Sequence, residues 1–124
     1  MGGESIVLET RNQLKEYVKK NSIVIVKVSA TWCGPCKKIG PQVNQLFSQM
    51  NNNVSMVLVD ADKGSDICNF LRVKTVPHLV NYINGSPQDI LTSSNSEDVL
   101  KFFNSTHVGS IEEFKNNLST NQFS

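Results

Sequence analysis

Residues 32 to 36 read Trp-Cys-Gly-Pro-Cys, just after an apolar, β-branched run from Ile23 to Val28. Two thiols three positions apart, where a buried strand passes into a helix, make a dithiol suited to exchange with disulfides. The first sulfur falls at the helix N-terminus. Unpaired backbone N–H groups and the macrodipole favour an anion there, so Cys33 is the expected nucleophile, acting as its thiolate. Cys36, one turn further in, is close enough to close an intramolecular disulfide. Pro35 lies in the first turn, where its missing N–H costs nothing, and Gly34 leaves the nucleophile uncovered for a bulky substrate.

A CxxC pair also serves as half of a structural zinc site. Such a site needs two further ligands at close spacing. Only Cys68, His78 and His107 remain, and none falls in that pattern, so no metal is expected.

Three further features extend the pentapeptide into a resemblance to the thioredoxin family. Pro41 stands five residues after the second cysteine, as the family's helix proline does. Pro77, in Thr75-Val76-Pro77-His78, matches the proline, cis in that family, that faces the disulfide. Asn84-Gly85 occupies the family's tight turn eight residues later. The chain fits the family pattern without gaps from about residue 5 to residue 104.

The resemblance implies an α/β thioredoxin fold, a central mixed sheet with helices on both faces, and a protein-disulfide reductase working through Cys33 and Cys36. Trp32, by that resemblance, shapes the floor beside the sulfurs. Val76 offers backbone N–H and C=O to an extended substrate, and Pro77 keeps that edge turned to the dithiol and denies a metal access to it. Expected partners are disulfide-containing proteins and a thioredoxin-reductase-like electron donor, with no bound cofactor.

The departures carry chemistry of their own. The family places a buried Asp six residues before the first cysteine, where it helps move the proton of the second thiol; here that position is Lys27. A lysine in a buried strand is costly unless neutralised, paired or reaching solvent. Two readings stand: Lys27 stabilises a Cys36 thiolate or acts as a base, or it reaches out to water. His78, beside Pro77, is either a second proton-transfer candidate near neutral pH or a strand residue satisfied locally. Ser93 replaces a glycine of the family's substrate groove, which suggests a narrower partner range. Cys68 is expected to be a buried helix residue, with a regulatory thiol as the other reading.

Composition sets the frame for this chemistry. At 124 residues the chain is one domain with room for a core, and 39% apolar and 19% charged residues suit an ordinary folded protein. A net charge of +1 gives no field for nucleic acid or an anionic membrane, and Lys37 and Lys38 make only a local basic patch. The N-terminus shows neither a secretory pattern nor a myristoylation pattern, and no segment has the length of a membrane span. Three cysteines make no disulfide framework, so a reducing, cytoplasmic setting is expected; the chain is expected to be a monomer. The Asn51-Asn52-Asn53 run reads as compositional bias.

The elements that must position the dithiol follow from periodicity. Ser5 to Thr10 reads as a strand. Thr10 and Gln13 form a capping box for a helix to about Lys20. Ile23 to Val28 is a central strand buried on both faces. A helix is expected from Gly34 to Met50, kinked at Pro41, then a strand from Val54 to Asp60 and a short helix from Ser65 to Leu71. Val76 to Ile83 reads as a strand that turns at Asn84-Gly85 into a short edge strand, Asp89 to Thr92. Ser94 and Glu97 suggest the cap of the next helix.

Residues 1–104 are thus the expected domain and 105–124 an extension. Ser110 and Glu113 look like the start of a separate short amphipathic helix with Ile111, Phe114 and Leu118 on one side. A competing alignment makes Val108-Gly109 the family's Val-Gly near the active site and residues 86–107 an insertion. The rival function is a thioredoxin-fold binding module with a vestigial or regulatory dithiol, working through its C-terminal helix.

Overall fold

The computed structural model describes the backbone of residues 2–123 and the side chains of residues 2–112. Nine elements follow in the order β1 (Ser5–Val7), α1 (Arg11–Lys20), β2 (Ile23–Ser29), α2 (Gly34–Ser48), β3 (Val54–Asp60), α3 (Ser65–Leu71), β4 (His78–Ile83), β5 (Ser86–Leu91) and α4 (Ser96–Phe123). The strands form one sheet in the order β1-β3-β2-β4-β5. The first three run parallel, and β4 and β5 are antiparallel to their neighbours.

Strand alternation divides the core into two layers. On one side of the sheet Ile23 and Ile25 of β2, Val54 and Met56 of β3 and Leu79 of β4 pack against Ile39 and Val43 of α2 and Val99, Phe102 and Phe103 of α4. On the other side Val24, Val26 and Val28, with Val57, Val59, Val80 and Tyr82, pack against Leu14 and Val18 of α1 and Ile67 of α3. Because both faces are covered, β2 is buried almost throughout, as its unbroken β-branched run requires.

The ends of the elements follow local chemistry. Thr10 and Gln13 form the expected capping box, the Thr10 side chain accepting the Gln13 N–H. Asn84 (φ 53°) and Gly85 (φ 81°) both take the left-handed region that a two-residue hairpin turn demands. This tight turn lets β5 begin at Ser86, three residues earlier than periodicity suggests. β4 begins at His78 rather than Val76.

The last helix departs most from expectation. Its cap is Asn95, not Ser94: Asn95 Oδ1 accepts the N–H groups of Glu97 (2.8 Å) and Asp98 (3.4 Å). No second helix begins at Ser110, because α4 runs unbroken from Ser96 to Phe123. Residues 105–109 contain no proline to stop it. Ser110 is fully buried and its hydroxyl donates to the His107 carbonyl at 2.9 Å, a bond within the helix rather than a cap. The side chains of Glu113, Phe114 and Leu118 lie outside the described residues.

The division at residue 104 therefore crosses a continuous helix, and residues beyond it belong to the core. Thr106 is fully buried, and its hydroxyl accepts from Asn81 Nδ2 at 2.8 Å while donating to the Phe102 carbonyl. The β4–β5 register shifts between Val80 and Tyr82, and there Asn81 Oδ1 takes the Asp89 N–H at 2.7 Å. Asn51 Nδ2 donates to the Ser110 hydroxyl and Asn53 Nδ2 to its carbonyl, so the asparagine run ties the sheet layer to α4. Gly109 allows close approach: a Cβ there would lie 2.6 Å from Ile83 Cδ1. Val108-Gly109 is thus helix, and β5 leads to α4 with no inserted element.

Candidate active site

Cys33 is the N-cap of α2, and its Sγ accepts the Cys36 N–H at 3.1 Å. This is the orphan-donor geometry that makes a helix N-terminus hospitable to a thiolate. No acidic residue stands in the first turn, and Lys37 and Lys38 are exposed beside it. Cys33 and Cys36 are joined as a disulfide with Cα atoms 5.3 Å apart, within the ordinary range. Gly34 and Pro35 supply the exposed first turn, and Pro35 loses nothing there.

The loop before β4 closes over this helix end. The Val76–Pro77 peptide is cis, and the Val76 carbonyl oxygen lies 3.6 Å from Cys33 Sγ, a contact that a thiol would make as donor. Val76 stands outside the ladder of β4, so its N–H has no backbone partner among the described residues. Cys33 is only 4% exposed, tucked between this loop and its own helix, where the sequence suggests an uncovered sulfur. The open approach is over Gly34, where an added Cβ would meet nothing within 4 Å.

Trp32 stands at the surface, next in the chain to Cys33. It is 67% exposed, and its indole Nε1 donates to Asp62 Oδ2 at 3.1 Å. Asp62 did not stand out from the sequence. The available signal was Asp60 ending a strand: its Oδ1 accepts the N–H groups of Asp62 and Lys63 and folds the turn that presents Asp62.

Lys27 and His78, the two proton-transfer candidates, lie on opposite faces of the sheet. Lys27 pairs with Leu58 and Leu79 and so faces α2. It lines, with Cys36, Ile39, Asp60 and Pro77, a cavity of about 520 Å³ beneath the dithiol helix. Burial lowers its amine from the ordinary value, and no ion pair reaches it among the described residues.

His78 sits opposite Val28, on the face covered by α1 and α3, and does not line that cavity. Strand alternation, which sends neighbours to opposite faces, separates it from Cys36 although it adjoins Pro77. His78 is thus a buried strand residue that faces away from Cys36. Burial holds its imidazole below the usual value, so the unfolded chain binds a proton that the folded chain resists. The sign follows: stability linked to His78 is fully present above about pH 6.5 and is lost as pH falls through the depressed folded value. Thermal melts from neutral pH to the acid side should show a shallower fall for His78→Gln than for the parent chain; parallel curves would remove His78 from this role.

Cys68 is half-buried, and burial, with Asp60 and Asp62 behind it, pushes its thiol up, away from reactivity. Among the described residues no cluster of three His, Cys, Asp or Glu side chains could hold a metal, and no helix is long and apolar enough to cross a membrane.

A dithiol closed into a disulfide at a helix N-terminus, faced by a cis-proline loop on a five-stranded mixed sheet, is an arrangement that permits thiol–disulfide exchange. A family model described as Thioredoxin matches residues 5–105, and the chain belongs to the thioredoxin family. It is similar to the mitochondrial thioredoxin of Mus musculus, 32% identical over 92 residues that make up 74% of this chain and 55% of that protein. It is 34% identical over 85 residues to thioredoxin of Ictalurus punctatus, covering 68% of this chain and 79% of that one. The chain thus spans about half the length of the mitochondrial relatives it matches. Among solved structures, Malassezia sympodialis thioredoxin (Mala s 13) superposes with a TM-score of 0.74 at 25% identity, over 83% of this chain and 93% of that one.

Proposed function

We propose that this chain is a protein-disulfide reductase acting by dithiol–disulfide exchange. The observation that carries this reading is the Cys33–Cys36 disulfide at the N-terminus of α2, with the Cys36 N–H directed at Cys33 Sγ. In the reduced state the Cys33 thiolate attacks a substrate disulfide, and one substrate sulfur leaves as a thiolate that takes up a proton. The Cys36 sulfur then attacks Cys33 of the mixed disulfide, closing the internal bond and releasing the second substrate thiol. Two electrons pass to the substrate, and the oxidised dithiol needs an external donor to be reset.

Around that centre Trp32, Gly34 and Pro35 make the docking surface, and the N–H and carbonyl of Val76 receive an extended substrate segment by strand addition, with Pro77 setting the loop. The substrates are proteins carrying accessible disulfides. The donor is a reductase of the thioredoxin-reductase kind, and the chain works as a monomer without a bound cofactor, nucleic acid or membrane. A cytoplasmic site suits the sparse cysteines and the absence of a disulfide framework. In that setting the chain carries electrons for redox homeostasis.

The test is catalysed reduction of a generic protein disulfide with dithiothreitol as the electron source. The reading expects a rate well above dithiothreitol alone that scales with protein concentration. A rate equal to dithiothreitol alone would reject it.

A further inference from the structure

Exchange through two cysteines leaves one step without an evident agent: the second thiol must lose its proton before it can attack. Cys36, Ile39 and Gly40 of α2 line the cavity beneath the helix, and Lys27 of β2 lines it as well. The other charged groups lining that space are Glu9 before α1, Lys37 on α2, and Asp60 and Lys63 at the end of β3. No ion pair joins Lys27 to Glu9 or Asp60. Glu9 is exposed, and Asp60 Oδ1 already accepts two backbone N–H groups of its own turn. β4 contributes Leu79 opposite Lys27 and so supplies no counter-charge. A half-buried amine without a carboxylate partner thus lines the same open-sided cavity as a thiol that must ionise.

We propose that Lys27 is the proton acceptor for Cys36 and holds the resulting thiolate during the resolving step. The proton leaves Cys36 Sγ and joins Lys27 Nζ. The thiolate attacks Cys33 Sγ, the Cys33–substrate bond breaks as the Cys33–Cys36 bond forms, and the leaving substrate thiolate takes a proton from water while Lys27 returns its own to solvent. No electron source is involved beyond the dithiol itself. Burial lowers the amine from its ordinary value, and ion-pair formation with the thiolate offsets the cost of holding the charge there. A lysine–thiolate pair also stabilises the reduced dithiol relative to the disulfide, which makes the protein a weaker reductant than it would be without the lysine.

This proposal rests on reading Cys33 and Cys36 as an exchanging pair, and it is tested without any substrate. In the full chain carrying Cys33→Ser and Cys68→Ser, Cys36 is the one remaining thiol, and its ionisation can be followed by thiolate absorbance against pH. Adding Lys27→Met should weaken the ionisation constant by about tenfold or more, whereas Lys27→Arg, which keeps the cation, should leave it strong. In the otherwise unmodified chain, Lys27→Met should shift the equilibrium with glutathione about tenfold toward the disulfide, close to 30 mV. Lys27→Gln serves both measurements should the methionine variant fold poorly. Identical titrations with and without Lys27, or an unchanged equilibrium, would overturn the assignment. A chain that failed to turn over protein disulfides would still give the titration, so the two failures remain separate.

Discussion

Cys33→Ser is expected to lower the rate of protein-disulfide cleavage on the order of a thousandfold, to that of dithiothreitol alone. The size of the effect follows from the site's division of labour. The orphan N–H at the start of α2 and the basic first turn all act on Cys33 Sγ, and a serine hydroxyl is far too weak an acid to form the corresponding anion near neutral pH. Cys36 does not substitute for it, because it opens onto the cavity below the helix while Gly34 and Pro35 face the approach. Cys68 is no substitute either, since burial and two aspartates suppress its thiolate. The check is initial rates for the parent and variant at matched concentration. Residual activity within tenfold of the parent would place the nucleophile elsewhere.

Removing residues 105–124 should destabilise the chain by about 3 kcal/mol or more, seen as a fall in Tm of roughly 10 °C or more. The cut deletes Thr106 and leaves the fully buried Asn81 amide without its acceptor, which alone costs about 1–3 kcal/mol. It also deletes Ser110 and both of its asparagine contacts, and it uncovers Ile83 where Gly109 packs. Thr106→Val in the full chain isolates the first of these terms and should reproduce about a third to a half of the loss. Melting curves of the three proteins decide the matter, and coincident transitions would show that the helix beyond residue 104 adds nothing to the core. The binding-module alternative leaned on this segment as a free working surface. Thr106 and Ser110 lie inside the fold instead, so truncation tests folding and not partner choice.

Much of this was legible in the sequence because local chemistry and global fold agree there. The β-branched run of β2, the capping box at Thr10 and the Asn84-Gly85 turn each specify one geometry, and the structure contains all three. The dithiol was legible for the same reason: its chemistry depends on a helix N-terminus that the adjoining strand makes inevitable. Legibility ended where a role depends on a partner distant in the chain. Asn51 and Asn53 looked like bias until α4 brought Ser110 to them, and Asp62 is silent until the Asp60 turn brings it to Trp32. Ser110 looked like a helix start because the serine-to-glutamate spacing is a local signal, yet the preceding turn was already helical and its hydroxyl bonded inward. His78 adjoins Pro77 in the chain and still faces away from Lys27's cavity, a separation that only register can reveal.

The most direct test of the exchange mechanism is to trap its intermediate. Cys36→Ser retains the first attack but loses the resolving sulfur, so reduced protein mixed with a disulfide substrate should accumulate a stable, reductant-sensitive adduct. Peptide mapping by mass should place the substrate on Cys33. No adduct, or an adduct only on Cys68, would contradict the assignment of Cys33 as nucleophile and Cys36 as the group that releases the product.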